Sequence, residues 1–154
     1  MDLTNKTILI TGATDGIGKV LAEEFSKLGS NIILLGKNSS KLDRVYDQLD
    51  HSFDSQKHLI LEADLSLLNN ESAHEILRAI SNEYDALDGI IHNAAILGTM
   101  TPLEDYELSK WDEVLNINLR APFLLTKTLK SILENSTMPR IIFTSSGVAN
   151  TGRA

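Results

Sequence analysis

The sequence predicts a doubly wound α/β domain, an open parallel β-sheet with helices on both faces. Two observations carry that expectation. Five short β-branched runs alternate with longer segments of helical periodicity along the whole chain. The runs are also near-continuously apolar, as parallel strands covered on both faces are, and do not alternate with polar residues. A third observation fits the first two: a glycine-rich turn directly follows the first run, and sheets of this class bind ligands at the carboxyl ends of their strands.

The elements follow in order. TILIT (7–11) reads as a strand, and Ile17, Val20, Leu21, Phe25 and Leu28 then recur at helical spacing as far as Gly29, a natural carboxyl-terminal stop. NIILLG (31–36) is the second strand, with Leu42, Val45, Tyr46 and Leu49 marking the helix after it. HLILEA (58–63) is the third, followed by Ala73, Ile76, Leu77, Ile80 and Tyr84. LDGIIHN (87–93) is the fourth. Trp111, Val114, Leu115 and Asn118, then Leu125, Leu129 and Leu133, line the longest helix, about 109–134, which Ser109 is placed to cap. RIIFTSS (140–146) is the fifth strand. No repeat or linker interrupts the series, so 1–154 reads as one domain.

Composition narrows the function. With 42% apolar and 23% charged residues the chain is an ordinary globular one. No run approaches the ~20 apolar residues of a membrane span, and MDLTNKT lacks the apolar core of a signal peptide. The lack of cysteine excludes disulfides and thiolate metal sites, and a cytoplasmic protein without a metal is the expectation. A net charge of −7 argues against broad nucleic-acid binding but leaves room for a local pocket of donors around an anionic small molecule.

TGATDGIG (11–18) supplies such a pocket. Gly12 permits a tight turn, Gly16 lets backbone approach a pyrophosphate, and Gly18 lets the following helix lie close to the sheet. The helix start then presents N–H groups and partial positive charge to the phosphates. Strand before and helix after make this a cradle and not merely a flexible turn.

The spacing G-x-x-x-G-x-G resembles the cofactor loop of the short-chain dehydrogenase/reductase family, and the resemblance runs along all 154 residues. Asp64 in EADL looks like the family's aspartate at the adenine ring. HNAA (92–95) is similar to its Asn-Asn-Ala-Gly, matching at Asn93 and Ala94 and departing at His92 and Ala95. LLGKNSSKL, LDGIIHNAA and FTSSGV with GRA look closest to the bacterial YciK-like branch. The resemblance implies a Rossmann-like sheet of order 3-2-1-4-5, a homo-oligomer formed through helix 109–134, and hydride transfer between a nicotinamide and a carbonyl or alcohol. It further implies that Gly12, Thr14, Asp15, Gly16, Ile17 and Gly18 hold the cofactor, with Lys37 and Asn38, Asp64 and Leu65, and Asn93, Ala94 and Ala95 from the later strand ends.

The choice of nicotinamide turns on one position. An acid about 20 residues past the glycines usually holds the ribose 2′-hydroxyl of NAD and repels a 2′-phosphate. Here that count reaches Gly36 and Lys37, and Lys37 with Asn38, Ser39 and Ser40 offers a cation and neutral donors at a helix start. NADP is the expected cofactor. Asp15 opposes it, since NADP-preferring relatives often place a base there.

In the family a serine holds the substrate carbonyl, a tyrosine moves the proton, and a lysine lowers the tyrosine's pKa. Ser146 matches the serine, with Ser145 as its neighbour, and Asn118 matches the catalytic asparagine. Pro122 has no N–H to donate to the Asn118 carbonyl, which leaves that oxygen for a water in the family's proton relay. Tyr106 and Lys110 have the Tyr-x-x-x-Lys spacing but follow the fourth strand, where the family's pair follows the fifth. They read as a coincidence. Tyr46 and Tyr84 are followed four places on by Asp50 and Asp88. The sequence thus reads as the amino-terminal portion of a longer enzyme, incomplete at its carboxyl end, inactive alone and prone to aggregate along its fifth strand. A non-catalytic NADP(H)-binding module is the alternative; a methyltransferase-like ligand fits the glycine spacing and Lys37 less well.

Overall fold

The computed structural model describes residues 3–149. The GRA segment (152–154) lies outside them. Five parallel strands form one sheet in the order β3-β2-β1-β4-β5: β1 (Thr7–Thr11), β2 (Asn31–Gly36), β3 (Leu59–Glu62), β4 (Gly89–His92) and β5 (Arg140–Phe143). The helices are α1 (Gly16–Lys27), α2 (Ser39–Tyr46), α3 (Asn70–Ser81), α4 (Leu108–Leu115) and α5 (Ala121–Leu133). The sheet separates two apolar cores, Leu9, Ile33 and Ile90 facing α3 and α5 on one side, Ile8, Ile10, Ile32 and Leu34 on the other with Ala22 of α1 and Leu42 of α2. Among the described residues no helix is long and apolar enough to cross a membrane.

Strands β1 and β2 coincide with the expected spans, whereas β3, β4 and β5 are each shorter than predicted. The ends of HLILEA, LDGIIHN and RIIFTSS leave the ladder to supply loop groups. His58 shows why. It is 7% exposed, and its Nδ1 accepts the Ile32 N–H at 3.0 Å while Nε2 lies 2.9 Å from the Asp50 carbonyl. The side chain therefore fastens the loop before β3 to β2 in place of a backbone pair. Edge strand β3 is only partly covered and β5 is open, with Phe143 at 60% exposure, so the expectation of strands covered on both faces holds for β1, β2 and β4 alone.

Two helical stripes also differ from their apolar pattern. In α1 the buried face is Gly18, Ala22 and Ser26, while Ile17 and Val20 are exposed. Small residues at this spacing let the helix axis approach the sheet, which a large branched face would prevent. The predicted single long helix is α4 and α5 joined by a π-helical turn at Asn116–Arg120, where the Ala121 N–H reaches back five residues to the Asn116 carbonyl. Pro122 follows as an early residue of α5, and a wide turn before it makes room for the proline ring, which would clash in a regular helix. The extra residue shifts the register, so Trp111, Leu115 and Asn118 are exposed while Ile117, Ala121, Leu124, Leu125 and Leu129 are buried. Ser109 is not the cap. The helix begins a residue earlier, behind Glu107, and the Ser109 hydroxyl bonds the Glu107 carboxylate at 3.3 Å. Gly29 does end α1, in the left-handed region at φ +86.

Burial lowers the pKa of His58, and an imidazolium could not accept the Ile32 N–H. A depressed native pKa means that the stabilisation is complete above about pH 6.5 and is lost as the pH falls through the native value. The urea midpoint of unfolding is expected to hold steady above that pH and fall below it, with a shallower fall in His58→Asn.

Candidate functional site

The carboxyl ends of β1, β2 and β4 open onto one cleft of about 400 Å³. Its floor is set by the turn after β1. Gly12 is left-handed, at φ +63, and a β-carbon there would stand 2.8 Å from the Ala94 Cα. At Gly18 a β-carbon would stand 2.4 Å from the Gly12 carbonyl oxygen and 2.6 Å from Asn93 Nδ2. Helix α1 therefore starts in direct contact with the turn, which only glycine permits. Gly16 is also left-handed, at φ +50, but its missing side chain leaves open space.

Thr11 joins this turn to the one after β4. Its hydroxyl accepts the N–H groups of Asn93 and Ala94, each at 3.1 Å, and lies 3.4 Å from the Ile91 carbonyl. Asn93 answers from the other side, donating through Nδ2 to the Thr11 and Gly12 carbonyls at 3.4 and 3.3 Å. Thr11 was not among the expected site residues. Its signal was a hydroxyl at the last strand position before the glycine turn.

Of the expected binding residues, Gly12, Thr14, Asp15 and Gly16 line the cleft from the first turn. Lys37, Leu65, Asn93, Ala94 and Ala95 line it from the other strand ends. Gly36, Ala63, Ile96 and Ile117 complete the lining and were not singled out as site residues. Ile17, Gly18, Asn38 and Asp64 do not line it. Gly18 acts from below, through its contact with Gly12. Asn38 caps α2, its Oδ1 accepting the Lys41 N–H at 2.9 Å. Asp64 closes a turn on Ser66, accepting its N–H and hydroxyl at 2.9 and 2.7 Å, and the Ser66 hydroxyl above all holds the carboxyl below the usual carboxylate range.

Charge divides the cleft. Lys37 sits at the end of β2, just before the start of α2. Asp15 stands at the start of α1, where its carboxylate accepts the Gly16 N–H at 2.7 Å. An anion at this helix start thus meets one amide already engaged and a like charge beside it.

At the far end of the cleft, Asn118 clamps the strand-4 loop: its Oδ1 accepts the Ile96 N–H at 2.9 Å and its Nδ2 donates to the Ile96 carbonyl at 2.8 Å. Ser145 and Ser146 follow β5 and are exposed, outside the lining. Just before them, the Thr144 N–H donates to the His92 carbonyl at 3.0 Å. His92 itself is 4% exposed, with Nε2 2.9 Å from the Thr126 hydroxyl and its ring stacked on Phe143. Burial pushes its pKa down to about 4, so the ring is neutral at neutral pH. Tyr106 and Lys110 are engaged elsewhere, Lys110 with Glu113 at 3.0 Å and Tyr106 against Trp111.

Replacing Thr11 by valine keeps the shape and leaves the Asn93 and Ala94 amides without their acceptor. The expected cost is about 2 kcal/mol of unfolding free energy by urea titration. Gly18→Ala, which forces the turn away from α1, is expected to lower the urea midpoint, the reverse of what alanine for glycine does in an ordinary helix interior.

The family model for short chain dehydrogenase matches residues 6–154. The Escherichia coli K12 oxidoreductase YciK is 35% identical over 152 residues, covering 99% of this chain and 60% of its own length. A short chain dehydrogenase of Escherichia coli CFT073, solved in complex with NADPH, superposes with a TM-score of 0.90 at 36% identity, covering 99% of this chain and 64% of that one. One from Shigella flexneri 2a, complexed with NADP, gives 0.91 at 36% identity, with coverage of 99% and 64%. The chain thus spans less than two thirds of the length of these relatives, and over that span it belongs to the short chain dehydrogenase family of oxidoreductases.

Proposed function

We propose that this chain forms the dinucleotide-binding part of an NADP-dependent oxidoreductase that moves hydride between the nicotinamide and a carbonyl or alcohol. The observation that carries the reading is the cleft at the carboxyl ends of β1, β2 and β4, floored by Gly12 and closed by the Gly18 contact, with Lys37 and no acid at the end of β2. The two relatives solved with NADPH and NADP support the cofactor. NADPH supplies the hydride when bound. Gly12, Thr14 and Gly16 would lie along its diphosphate, and Lys37 beside its 2′-phosphate. Asn93, Ala94 and Ala95 would form the wall toward the nicotinamide, and Asp64 and Leu65 would stand near the adenine.

Ser146 is the group we assign to the substrate carbonyl, with Asn118 as the second catalytic position. Pro122 has no N–H for the Asn118 carbonyl, and the Asn118 side chain is committed to Ile96, so the backbone oxygen is the group available to a water. A cytoplasmic setting belongs to the same proposal. So does a homo-oligomer through residues 109–134: Trp111, Leu115, Leu119 and Phe123 recur at four-residue spacing along that helix and are all exposed.

The engagement of Tyr106 and Lys110 favours a second reading for the 154-residue chain by itself, a binding module without turnover. Carbonyl reduction assayed with the purified chain and NADPH is expected to be absent, and measurable turnover would remove this reading. Binding separates the charge assignments. Lys37→Glu is expected to weaken NADPH by about tenfold while leaving NADH nearly unchanged. Asp15→Asn is expected to tighten both, because it takes a like charge from the phosphate position. Fluorescence titration checks each, and tighter NADH than NADPH in the parent chain would contradict the role given to Lys37.

A further inference from the structure

The loop after β4 walls the cleft through Ala94, Ala95 and Ile96, and two anchors hold it. At Ile96 the Asn118 amide makes both backbone hydrogen bonds. Two residues on, Gly98 is left-handed at φ +76 and lies against the hydroxyl end of Tyr106. A β-carbon at Gly98 would stand 2.2 Å from Tyr106 Oη and 2.9 Å from Val114 Cγ2. The Tyr106 ring in turn meets Trp111 edge-on, with centroids 6.5 Å apart.

Tyr106, Trp111, Val114 and Asn118 all belong to α4, its entry and the π turn that follows it. No residue of α4 is buried. What seats α4 on the domain is therefore its continuity with the π turn and its grip on the Ile96–Gly98 loop.

Resting on the dinucleotide reading above, we propose that Tyr106 is a positioning residue for the cleft: through Gly98 it clamps the wall of the cleft to α4, so that filling the cleft and seating α4 are one equilibrium. The consequence is thermodynamic. When the binding-competent wall is only a fraction of the population, the apparent Kd rises by the inverse of that fraction. By reciprocity, a bound dinucleotide holds α4 in place.

Trp111 is the only tryptophan in the chain, so its emission reports on the clamp without a label. NADP⁺ is the probe, since its oxidised ring does not absorb tryptophan emission, and calorimetry measures its binding independently. In the parent chain Trp111 emission is expected to change in step with the heat. Tyr106→Ala is expected to bind NADP⁺ about tenfold more weakly, with no Trp111 change accompanying the heat. Tyr106→Phe keeps the ring over Gly98 and is expected to stay within about twofold of the parent. Circular dichroism spectra of the three chains should superimpose, since Tyr106 lies outside both cores. Equal affinity in Tyr106→Ala overturns the proposal, as does a flat Trp111 signal at calorimetric saturation of the parent. No heat with the parent chain sinks the dinucleotide reading itself, and that failure is told apart by occurring before any substitution is made.

Discussion

The site depends on one close approach. Helix α1 reaches the turn after β1 because Gly18 has no side chain, and the Gly12 carbonyl and the Asn93 amide occupy the space where one would be. That contact does two things at once. It sets the height of the helix start above the sheet, and it brings the β1 and β4 turns within reach of the Thr11 hydroxyl and Asn93 side chain. The cleft is the gap left between these two turns and the end of β2. Its shape is therefore a property of backbone packing, with few large side chains involved, which suits a surface that must lie along a ligand's phosphates.

Around this fixed floor the side chains act through charge and hydrogen bonds. Lys37 and Asp15 sit on the same cleft with opposite sign, and they pull a phosphorylated ligand in opposite directions. Asp88 shows the same economy at the other end of the sheet. Its carboxylate accepts from the Thr7 N–H, the Lys6 ammonium and the Ser136 hydroxyl at 2.9, 3.0 and 2.7 Å, joining β1, β4 and the turn before β5. Burial would raise its pKa, but these three donors outweigh that and hold it below the usual range.

How far the sequence could be read follows from what each signal depends on. The five strands, the glycine turn and the placement of Lys37 rest on local pattern and element order, and they were legible; the strand order came with the family resemblance. The resemblance carried the family, which the match over residues 6–154 shows. What was not legible depends on partners distant in the chain. The π turn lies just before Pro122 in a helix whose second half packs with α3, and a reading by regular spacing placed Trp111 and Leu115 on the inner face. Thr11 and Asn118 hold loops about 80 and 22 residues away, which no local pattern displays. His58 read as an ordinary strand residue and His92 as a departure from the family motif, and only the fold shows that both are buried.

The π turn at Asn116–Arg120 has a wider meaning for how this helix can change over evolutionary time. A single added residue in a helix rotates everything beyond it by about 100°. Here that rotation points an apolar stripe of α5 at the interior and leaves α4 with no buried residue, so the two halves of one continuous rod are held to different physical requirements. Substitutions in α5 are constrained by volume, whereas those in α4 are constrained by whatever meets its outer surface. Removing one residue from 116–120 would restore a regular screw and swing Trp111 about the axis, which makes this turn a natural site for insertions and deletions that reassign a helix face without rebuilding a core.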